Sequence, residues 1–530
     1  MKYIDAEDLK PRLTDGSEIA FIDVREHGQY GAGHPFFIAS IPYSRLELLA
    51  ERLLPNKSID IVLMDDGDAV AEKAQKRFGE MGYTSVDILK GGVKAWAGAG
   101  FTLYEGVNLP SKTLGELIEH VADTPKITAQ QLMAMMEGDE DYVLVDGRTP
   151  EEFRTMMIGN GICCPNAELG HRLPQLLSSN TTKVIVNCAG RTRSIIGAQG
   201  LINQGFDNPV FALENGTQGW ELAGYEVTRG AADNLPHDLD EATLRASEKR
   251  AADMRQKFDL KQIDLATLVA WQGEDARTTY VFDVRTEEEF IAGHLPKSRH
   301  APGGQLVQST DKRVAARGAR IVLVDDTGLR AANTAVWLQH MSHEVYILNQ
   351  NITTQEELEY GLVAEKSIAE NLPQCPVSDV AERIKNGAIL LDFNNSMTFR
   401  KGHIAGARWA IRPRLGKLVA GRDVEFILIA ADRRMAELAA IDLGERGVKN
   451  LSYLAGDTDV WAQAGLEIVA TPDQPADKDC IDYLFFTHDR HVGNLEAARG
   501  YLAWELALID QLDEQERSFY QLDFYSSRSA

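Results

Sequence analysis

The sequence contains few cysteines, no long apolar run and fewer basic than acidic residues. Five cysteines in 530 residues are too few, and odd in number, for a disulfide framework, so we expect a protein of the reducing cytoplasm. No uninterrupted apolar run approaches the roughly 18 residues that cross a bilayer. The first residues also lack the apolar core of a signal peptide. These shortages argue against a secreted or membrane-spanning protein.

The net charge of −24 results from 79 acidic and 55 basic residues. This balance argues against a general affinity for nucleic acid or for anionic membranes. A local basic pocket on such an acidic surface would instead suit a small anion or a protein partner. The chain is too long for one hydrophobic core, and its length predicts about three to five domains.

A pattern of apolar strand, aspartate and helix start occurs four times along the chain. The recurring aspartates are Asp23, Asp146, Asp283 and Asp392. Eleven residues after them stand His34, Met157, His294 and His403. A second strand of each copy is followed by Asp65, Cys188, Asp325 and Ala430, at 42, 42, 42 and 38 residues from the aspartate. A shared register of this kind indicates four copies of one structural unit.

Each unit alternates short apolar runs with helical patterns, which predicts an α/β fold of parallel strands with helices on both faces. Glycines followed by Trp96, Trp220 and Trp461 close three of the units, whereas the third ends in Asn349-Gln350-Asn351. We expect these tryptophans to anchor the cores and the three Gly-His histidines to be scaffold hydrogen-bonding groups. Ligands of such sheets bind beyond the carboxyl ends of the strands, which is where Cys188 falls.

Cys188 begins the stretch Cys-Ala-Gly-Arg-Thr-Arg-Ser, residues 188–194. It lies between the apolar run 184–186 and the helix-compatible run 195–202, so we predict a strand, a tight loop and a helix N-terminus. Loop N–H groups, the helix dipole and two arginines would surround the sulfur with positive potential and favour its thiolate. The thiolate is the nucleophilic form of cysteine.

Taken together, these motifs resemble those of the rhodanese family. The resemblance rests on Asp-Val-Arg, Glu-Glu-Phe and Gly-His, on the loop at Cys188 and on the closing Gly and Trp, and it covers about residues 1–470. It implies four tandem modules, each a parallel five-stranded sheet flanked by helices. The expected boundaries are 1–105 (inactive, Asp65 at the cysteine position), 106–125 (connector), 126–230 (catalytic), 231–262 (helical linker), 263–370 (inactive, Asp325), 371–470 (inactive, Ala430) and 471–530 (linker and helical tail).

The resemblance also implies sulfur transfer by double displacement. Cys188 would attack the outer sulfur of thiosulfate, sulfite would leave, and the persulfide would pass its sulfur to cyanide or a thiol. Arg191 and Arg193 suit binding of the anionic donor. The N–H groups of the loop would stabilise the persulfide, and the expected binding residues are Ala189, Gly190, Arg191, Thr192, Arg193 and Ser194.

Three residues near this loop have expected supporting roles. Ser194 is also a candidate cap for the helix that follows. Asp146 and Arg148 are expected to pair and to hold the end of the strand below the loop. Neither a cofactor nor a metal is expected.

Several alternatives stay open at this stage. A cysteine-dependent phosphatase is disfavoured, because related phosphatases have a Cys-X5-Arg loop and here Arg193 comes one residue sooner. A non-catalytic sulfur-relay or protein-binding scaffold is the rival from another class, because three modules lack the nucleophile. Asp65 and Asp325 in particular would repel thiosulfate.

The remaining cysteines and the C-terminal segment allow further hypotheses. Cys163 and Cys164 suit packed small hydrophobic residues better than a resolving thiol. Cys480 with His488 and His491 matches no common zinc spacing. The segment 500–509 predicts an amphipathic helix that docks on a module or, as the second choice, contacts a second copy in a homodimer. A protein sulfur acceptor also stays open.

Overall fold

A computed structural model describes residues 2–526 of the chain except 233, 236–237, 351, 353–357, 362–367, 369–371, 488–489 and 492. Four parallel sheets follow one another along the chain, and helices flank each of them. This confirms the predicted α/β fold. We keep the names modules one to four for these sheets with their helices.

Modules one and two each consist of five strands and five helices. The strands of module one are β1 (Tyr3–Ile4), β2 (Ile19–Asp23), β3 (Ala39–Ser40), β4 (Asp60–Met64) and β5 (Val86–Leu89). Its helices are α1 (Ala6–Arg12), α2 (His27–Ala32), α3 (Leu46–Leu53), α4 (Val70–Glu80) and α5 (Gly92–Gly98), and the connector forms α6 (Leu109–Ala122). The strands of module two are β6 (Lys126–Ile127), β7 (Tyr142–Asp146), β8 (Ile162–Cys163), β9 (Lys183–Asn187) and β10 (Val210–Leu213). Its helices are α7 (Ala129–Glu137), α8 (Pro150–Thr155), α9 (Leu169–Arg172), α10 (Thr192–Asn203) and α11 (Gly216–Leu222).

The linker helix α12 (Glu241–Lys257) leads to modules three and four and then to a helical tail. The strands of module three are β11 (Gln262–Ile263), β12 (Thr279–Asp283), β13 (Arg299–His300), β14 (Arg320–Val324) and β15 (Glu344–Leu348), and its helices are α13 (Leu265–Gln272), α14 (Glu287–Ile291), α15 (Gly303–Gln308) and α16 (Leu329–His340). The strands of module four are β16 (Ile389–Asp392), β17 (His403–Ile404), β18 (Arg408–Trp409), β19 (Phe426–Ile429), β20 (Leu451–Leu454) and β21 (Ile468–Val469). Its helices are α17 (Val380–Lys385), α18 (Ser396–Lys401), α19 (Gly416–Val419), α20 (Arg433–Glu445) and α21 (Thr458–Gln463). The tail helices are α22 (Leu495–Leu506), α23 (Leu508–Gln511), α24 (Glu514–Arg517) and α25 (Asp523–Ser526).

The first three sheets share one strand order, which is β1-β5-β4-β2-β3 in module one. The parallel sheet of module four has four strands in the order β18-β16-β19-β20, and this corrects the expectation of five. The other two strands, β17 and β21, form a separate antiparallel pair. A single parallel bridge between Gln374 and Tyr453 stands where the edge strand would be. Pro373 and Pro376 flank this bridge and lack the N–H that a longer ladder requires, so the edge ends there.

The repeated tryptophans and histidines have the scaffold roles predicted for them. Trp96, Trp220 and Trp461 are at most 3% exposed, and each indole N–H donates to a backbone carbonyl of its own module. In each Gly-His pair the histidine ring stacks on an aromatic ring four residues earlier, for example His34 on Tyr30 with 3.7 Å between ring centres. Asn351, the last residue of the third closing segment, lies outside the described residues.

The C-terminal tail docks on the rest of the chain, and within the predicted segment 500–509 Glu505 contacts Lys112 of α6 and Thr192 of module two. Glu516 is 1% exposed and lies 2.9 Å from Nζ of Lys10 in module one. The Tyr520 hydroxyl donates to the carbonyl of Pro110 at the start of α6, at 2.9 Å. The tail thereby brings residues more than 300 positions away in sequence next to the first half of the chain.

Candidate active site

Cys188 lies at the carboxyl end of β9, directly before the loop that leads into α10. Its side chain is buried, with 2% of the residue exposed, and it lines a cavity of about 360 Å³. The recurring Asp146 of β7 is in register with Asn187, the residue before Cys188. The repeat pattern therefore places the predicted nucleophile at the edge of the sheet where parallel α/β folds bind ligands.

The start of α11 holds the backbone of this loop. The Thr217 N–H donates to the carbonyl of Cys188 at 2.8 Å, and the Gln218 N–H donates to the carbonyl of Ala189 at 3.0 Å. Gly216 has φ of +55°, and a Cβ there would lie 2.4 Å from the Cys188 carbonyl oxygen. Glycine is required for this close approach. Because the first two carbonyls of the loop are engaged by α11, they are not directed at the sulfur.

Burial raises the pKa of the Cys188 thiol above its ordinary value. The positive charge of Arg193 and the nearby Ser194 lower this pKa, whereas the negative charge of Asp146 raises it further. The net shift of the pKa is upward, so the expectation that the loop favours the thiolate is wrong. The basic groups are present as predicted, but desolvation of the charged form outweighs them.

Arg193 forms a bidentate ion pair with Glu152 of α8. Its two terminal nitrogens lie 2.6 and 2.8 Å from the Glu152 oxygens. Arg193 and Arg148 lower the pKa of Glu152 to about 2 against the opposing effect of burial. The Arg193 guanidinium thus acts electrostatically on Cys188 while its hydrogen-bonding fork is occupied by a carboxylate.

Arg191 is directed at the connector helix α6. Its Nε and Nη2 lie 2.8 and 2.9 Å from the two carboxylate oxygens of Glu116, and Nη2 also contacts Glu119. Arg191 is 4% exposed. Two glutamates more than 70 positions earlier in the chain therefore neutralise the charge of Arg191. This corrects the expectation that Arg191 binds the anionic donor.

The two hydroxyl residues of the loop do not cap α10 through their side chains. Helix α10 begins at Thr192, so Ser194 lies inside its first turn and the expected capping role is wrong. The Ser194 hydroxyl instead donates to the carbonyl of Arg191 at 2.8 Å. The Thr192 hydroxyl donates to Glu505 of the tail helix at 3.1 Å.

Asp146 and Arg148 form the predicted pair below the loop. The Arg148 Nη2 lies 2.6 Å from the Asp146 carboxylate and also donates to the Met156 carbonyl at 2.6 Å. The Asn187 amide donates to the same carboxylate at 2.7 Å. These contacts tie the ends of β7 and β9 together under Cys188.

The wall of the cavity opposite Cys188 comes from parts of the chain that sequence reasoning did not assign to the site. Lys112 of α6 lies 2.8 Å from Glu505. The Tyr501 hydroxyl donates to Glu505 at 2.9 Å. Further lining residues come from the tail and from module three, namely Gln305, Gln308, Ser309, Leu484, Phe486, Arg490 and Trp504. No local motif marks them, because they meet only through long-range packing.

The equivalent loops of modules one and three hold a carboxylate where module two holds the sulfur. Asp65 accepts the N–H groups of Gly67 and Ala71 at 2.8 and 2.9 Å. Asp325 accepts those of Asp326, Arg330 and Ala331 at 2.9 to 3.2 Å. In both loops, backbone N–H groups therefore bind a carboxylate, and this carboxylate belongs to the loop's own aspartate, Asp65 or Asp325.

The other cysteines lie away from this cavity. Cys163 and Cys164 are buried and do not line it. His488 lies outside the described residues, so the cluster of Cys480, His488 and His491 is not described as a whole. In the described part of the chain no group of three or more His, Cys, Asp or Glu residues has the arrangement of a metal site. None of the described helices has the length and apolar composition of a membrane span.

A protein-family model described as "Rhodanese-like domain" matches residues 5–99, 128–223 and 265–353. Among solved structures, "Thiosulfate sulfurtransferase from Pseudomonas aeruginosa" is 36% identical with a TM-score of 0.90. That alignment covers 98% of this chain and 100% of the other. It therefore includes all four modules and the tail.

Two further matches cover shorter parts of this chain. The Alr3790 protein from Anabaena sp. is 31% identical over 19% of this chain and 82% of its own, with a TM-score of 0.18. The "Uncharacterized 16.5 kDa protein in psaL 5'region" of Synechococcus elongatus is 32% identical over 74 residues, which are 13% of this chain. This chain spans 48% of the length of that curated relative.

Proposed function

This chain belongs to the rhodanese family, and we propose that it is a sulfurtransferase of the thiosulfate type that works through a persulfide on Cys188. One observation carries the proposal. The cavity in module two contains a buried cysteine at the position where modules one and three bind a carboxylate through backbone N–H groups. A loop that stabilises an anion at this position suits a thiolate and, after reaction, a persulfide anion.

The inactive loops indicate which N–H groups would hold the persulfide. In modules one and three the donors stand one, two, five and six positions after the aspartate. The same positions after Cys188 are Ala189, Gly190, Arg193 and Ser194. Ser194 is equivalent to a donor in both modules. These four residues are therefore the proposed persulfide cradle.

The proposed reaction has two displacement steps. The Cys188 thiolate attacks the outer sulfur of thiosulfate, a bond forms between the two sulfurs, and the bond to the sulfonate sulfur breaks. Sulfite leaves with that electron pair and two negative charges, and the persulfide keeps one. A thiophile such as cyanide then attacks the outer persulfide sulfur, and the thiolate is regenerated as thiocyanate departs. A cellular thiol would accept the sulfur in the same manner.

We also propose that the protein acts in the cytoplasm. The five cysteines form no disulfide, which suits a protein that works in the reducing cytoplasm. A protein acceptor of the sulfur and a homodimer stay predictions that nothing in the fold requires.

Intact mass measured after exposure to thiosulfate tests this function. We expect the wild type to gain one sulfur that cyanide removes, and Cys188→Ala to gain none and to lose all transfer activity. Cys375→Ala removes another buried cysteine, in module four, and serves as the matched control that still gains one sulfur. Uptake of sulfur by Cys188→Ala would refute the assignment. Hydrolysis of an aryl phosphate without sulfur uptake would favour the phosphatase.

A further inference from the structure

Four cationic side chains line the cavity that contains Cys188, namely Lys112, Arg191, Arg193 and Arg490. Three of them have a carboxylate partner at close range. Lys112 pairs with Glu505, Arg191 with Glu116 and Arg193 with Glu152, at 2.8, 2.8 and 2.6 Å. Their positive charges are therefore largely balanced within the protein.

Arg490 of the tail differs from the other three cations. It forms no ion pair with any carboxylate of the described residues, and its Nη1 atom is buried without a hydrogen-bond partner. Its guanidinium carbon lies 3.7 Å from the centre of the Tyr501 ring, and its Nε donates to Nε2 of His491 at 2.8 Å. Stacking on Tyr501 orients the guanidinium plane, whose edge provides the N–H donors for an anion.

The anionic side chains of the cavity make this unpaired cation important. Glu505 is 1% exposed, and its Oε2 has no partner and lies 3.1 Å from the position that a Cβ on Gly190 would occupy. Glu505 lines the same cavity as Cys188, so a donor with two negative charges would meet this carboxylate there. Repulsion between the like charges disfavours binding of the donor unless a free cation compensates for it.

We propose that Arg490 binds the sulfonate end of the donor dianion and that the C-terminal tail is therefore part of the donor site of module two. This inference rests on the proposed sulfur-transfer function and identifies the residue that recognises the donor. During the first displacement the outer sulfur is transferred to Cys188 while Arg490 stays with the sulfonate group, which departs as sulfite. Arg490 is a donor-binding residue, and it forms no covalent bond.

Steady-state kinetics separate the two half-reactions of a double displacement. The kcat/KM for thiosulfate reports formation of the persulfide, and the kcat/KM for cyanide reports its discharge. Because a hydrogen bond to a charged group contributes substantially to binding, we expect Arg490→Gln to lower kcat/KM for thiosulfate by about 10- to 100-fold. The kcat/KM for cyanide should stay within about threefold of the wild type, and Arg490→Lys should recover part of the loss.

Arg499→Gln is the matched control, because Arg499 is an exposed residue of α22 that does not line the cavity and the substitution removes the same charge. We expect both half-reactions of this variant to match the wild type. Equal losses in the two half-reactions of Arg490→Gln, or a kcat/KM for thiosulfate equal to that of Arg499→Gln, would overturn the role of Arg490. Wild-type protein that gains no sulfur would instead overturn the proposed function itself, so the two failures are distinguishable.

Discussion

Asp392 lacks the arginine partner that the other three recurring aspartates have. Asp23, Asp146 and Asp283 each pair with an arginine two residues later, whereas Asn394 stands at that position in module four. Burial raises the pKa of Asp392 to about 6. One substitution in the repeat has therefore changed a buried ion pair into a buried and uncompensated carboxylate.

The raised pKa of Asp392 predicts a pH-dependent stability. Between about pH 4 and pH 6 the folded state binds more protons than the unfolded state, so the free energy of unfolding falls as pH rises through this range. Asp392→Asn removes the charge and should stabilise module four at pH 8 by at most about 3 kcal/mol, with little effect near pH 4. Urea denaturation at the two pH values measures this difference.

Asp146→Asn is the matched control at the equivalent position of module two. It breaks the pair with Arg148 and should destabilise the protein at pH 8, because Arg148 stays buried without its counter-charge. If both variants shifted the urea midpoint in the same direction at pH 8, the difference between the two sites would be refuted.

At the scale of the element, the loop and the two helices next to it act as one unit. Helix α10 continues from the loop, and the start of α11 engages the first two loop carbonyls. The sequence predicts these elements because strand, polar loop and apolar helix are local patterns. It does not reveal that Gly216 permits contact between α11 and the loop, since that glycine is 28 residues after Cys188.

A pair of glycine substitutions tests this contact. Gly216 and Gly224 both have positive φ, but a Cβ at Gly216 would lie 2.4 Å from the Cys188 carbonyl oxygen, whereas a Cβ at Gly224 meets no atom within 4 Å. We expect Gly224→Ala to lose about 1 kcal/mol of stability through backbone strain alone. Gly216→Ala should lose more and should also slow sulfur uptake at least about tenfold, because the loop must shift.

The rate of sulfur uptake is measured by intact mass over time, and stability by the urea midpoint. Sulfur uptake by Gly224→Ala should match the wild type. Equal rates for the two variants would show that the close approach of α11 does not determine the shape of the loop.

At the scale of the whole molecule, modules without a cysteine at the position of Cys188 contribute ion pairs across the module interfaces. Arg330 of module three is fully buried and lies 3.0 Å from Asp325, 2.6 Å from Glu289 and 3.1 Å from Glu168 of module two. Asp325, which stands at the position of Cys188 in module three, thus helps to hold an arginine that reaches module two.

Arg412 of module four links that module to module one in the same manner. It is fully buried and lies 2.7 Å from Glu47 of module one and 2.9 Å from Asp442 of its own module. Charged side chains at these interfaces must find their partners when the modules dock. The modules without a cysteine at the position of Cys188 therefore have a structural role in this arrangement.

Substitution of the buried Arg330 tests how far the assembly depends on such pairs. Arg330→Met leaves the surrounding carboxylates without their counter-ion and should lower the free energy of unfolding by about 3–5 kcal/mol. Arg245→Met removes an arginine from an exposed pair with Glu241 and should change stability by less than about 0.5 kcal/mol. Thermal denaturation compares the two variants. Similar melting temperatures would contradict a stabilising role for the buried arginine.

The sequence by itself determined the repeat, the α/β fold and the candidate nucleophile. Each of these depends on short-range patterns, namely apolar strands, a recurring aspartate and a loop of seven adjacent residues. A repeat unit carries its own hydrophobic pattern, so its sheet follows from local residues and needs no knowledge of the other modules.

Only the tertiary structure decided how the charges around Cys188 are used. Arg191 pairs with Glu116, Arg193 pairs with Glu152, and Arg490 enters the cavity from a segment about 300 residues later. The pKa of the thiol likewise depends on burial, which the loop sequence does not specify. Ion pairs and desolvation are set by which elements pack together, and packing between distant segments leaves no periodic signal in a single sequence.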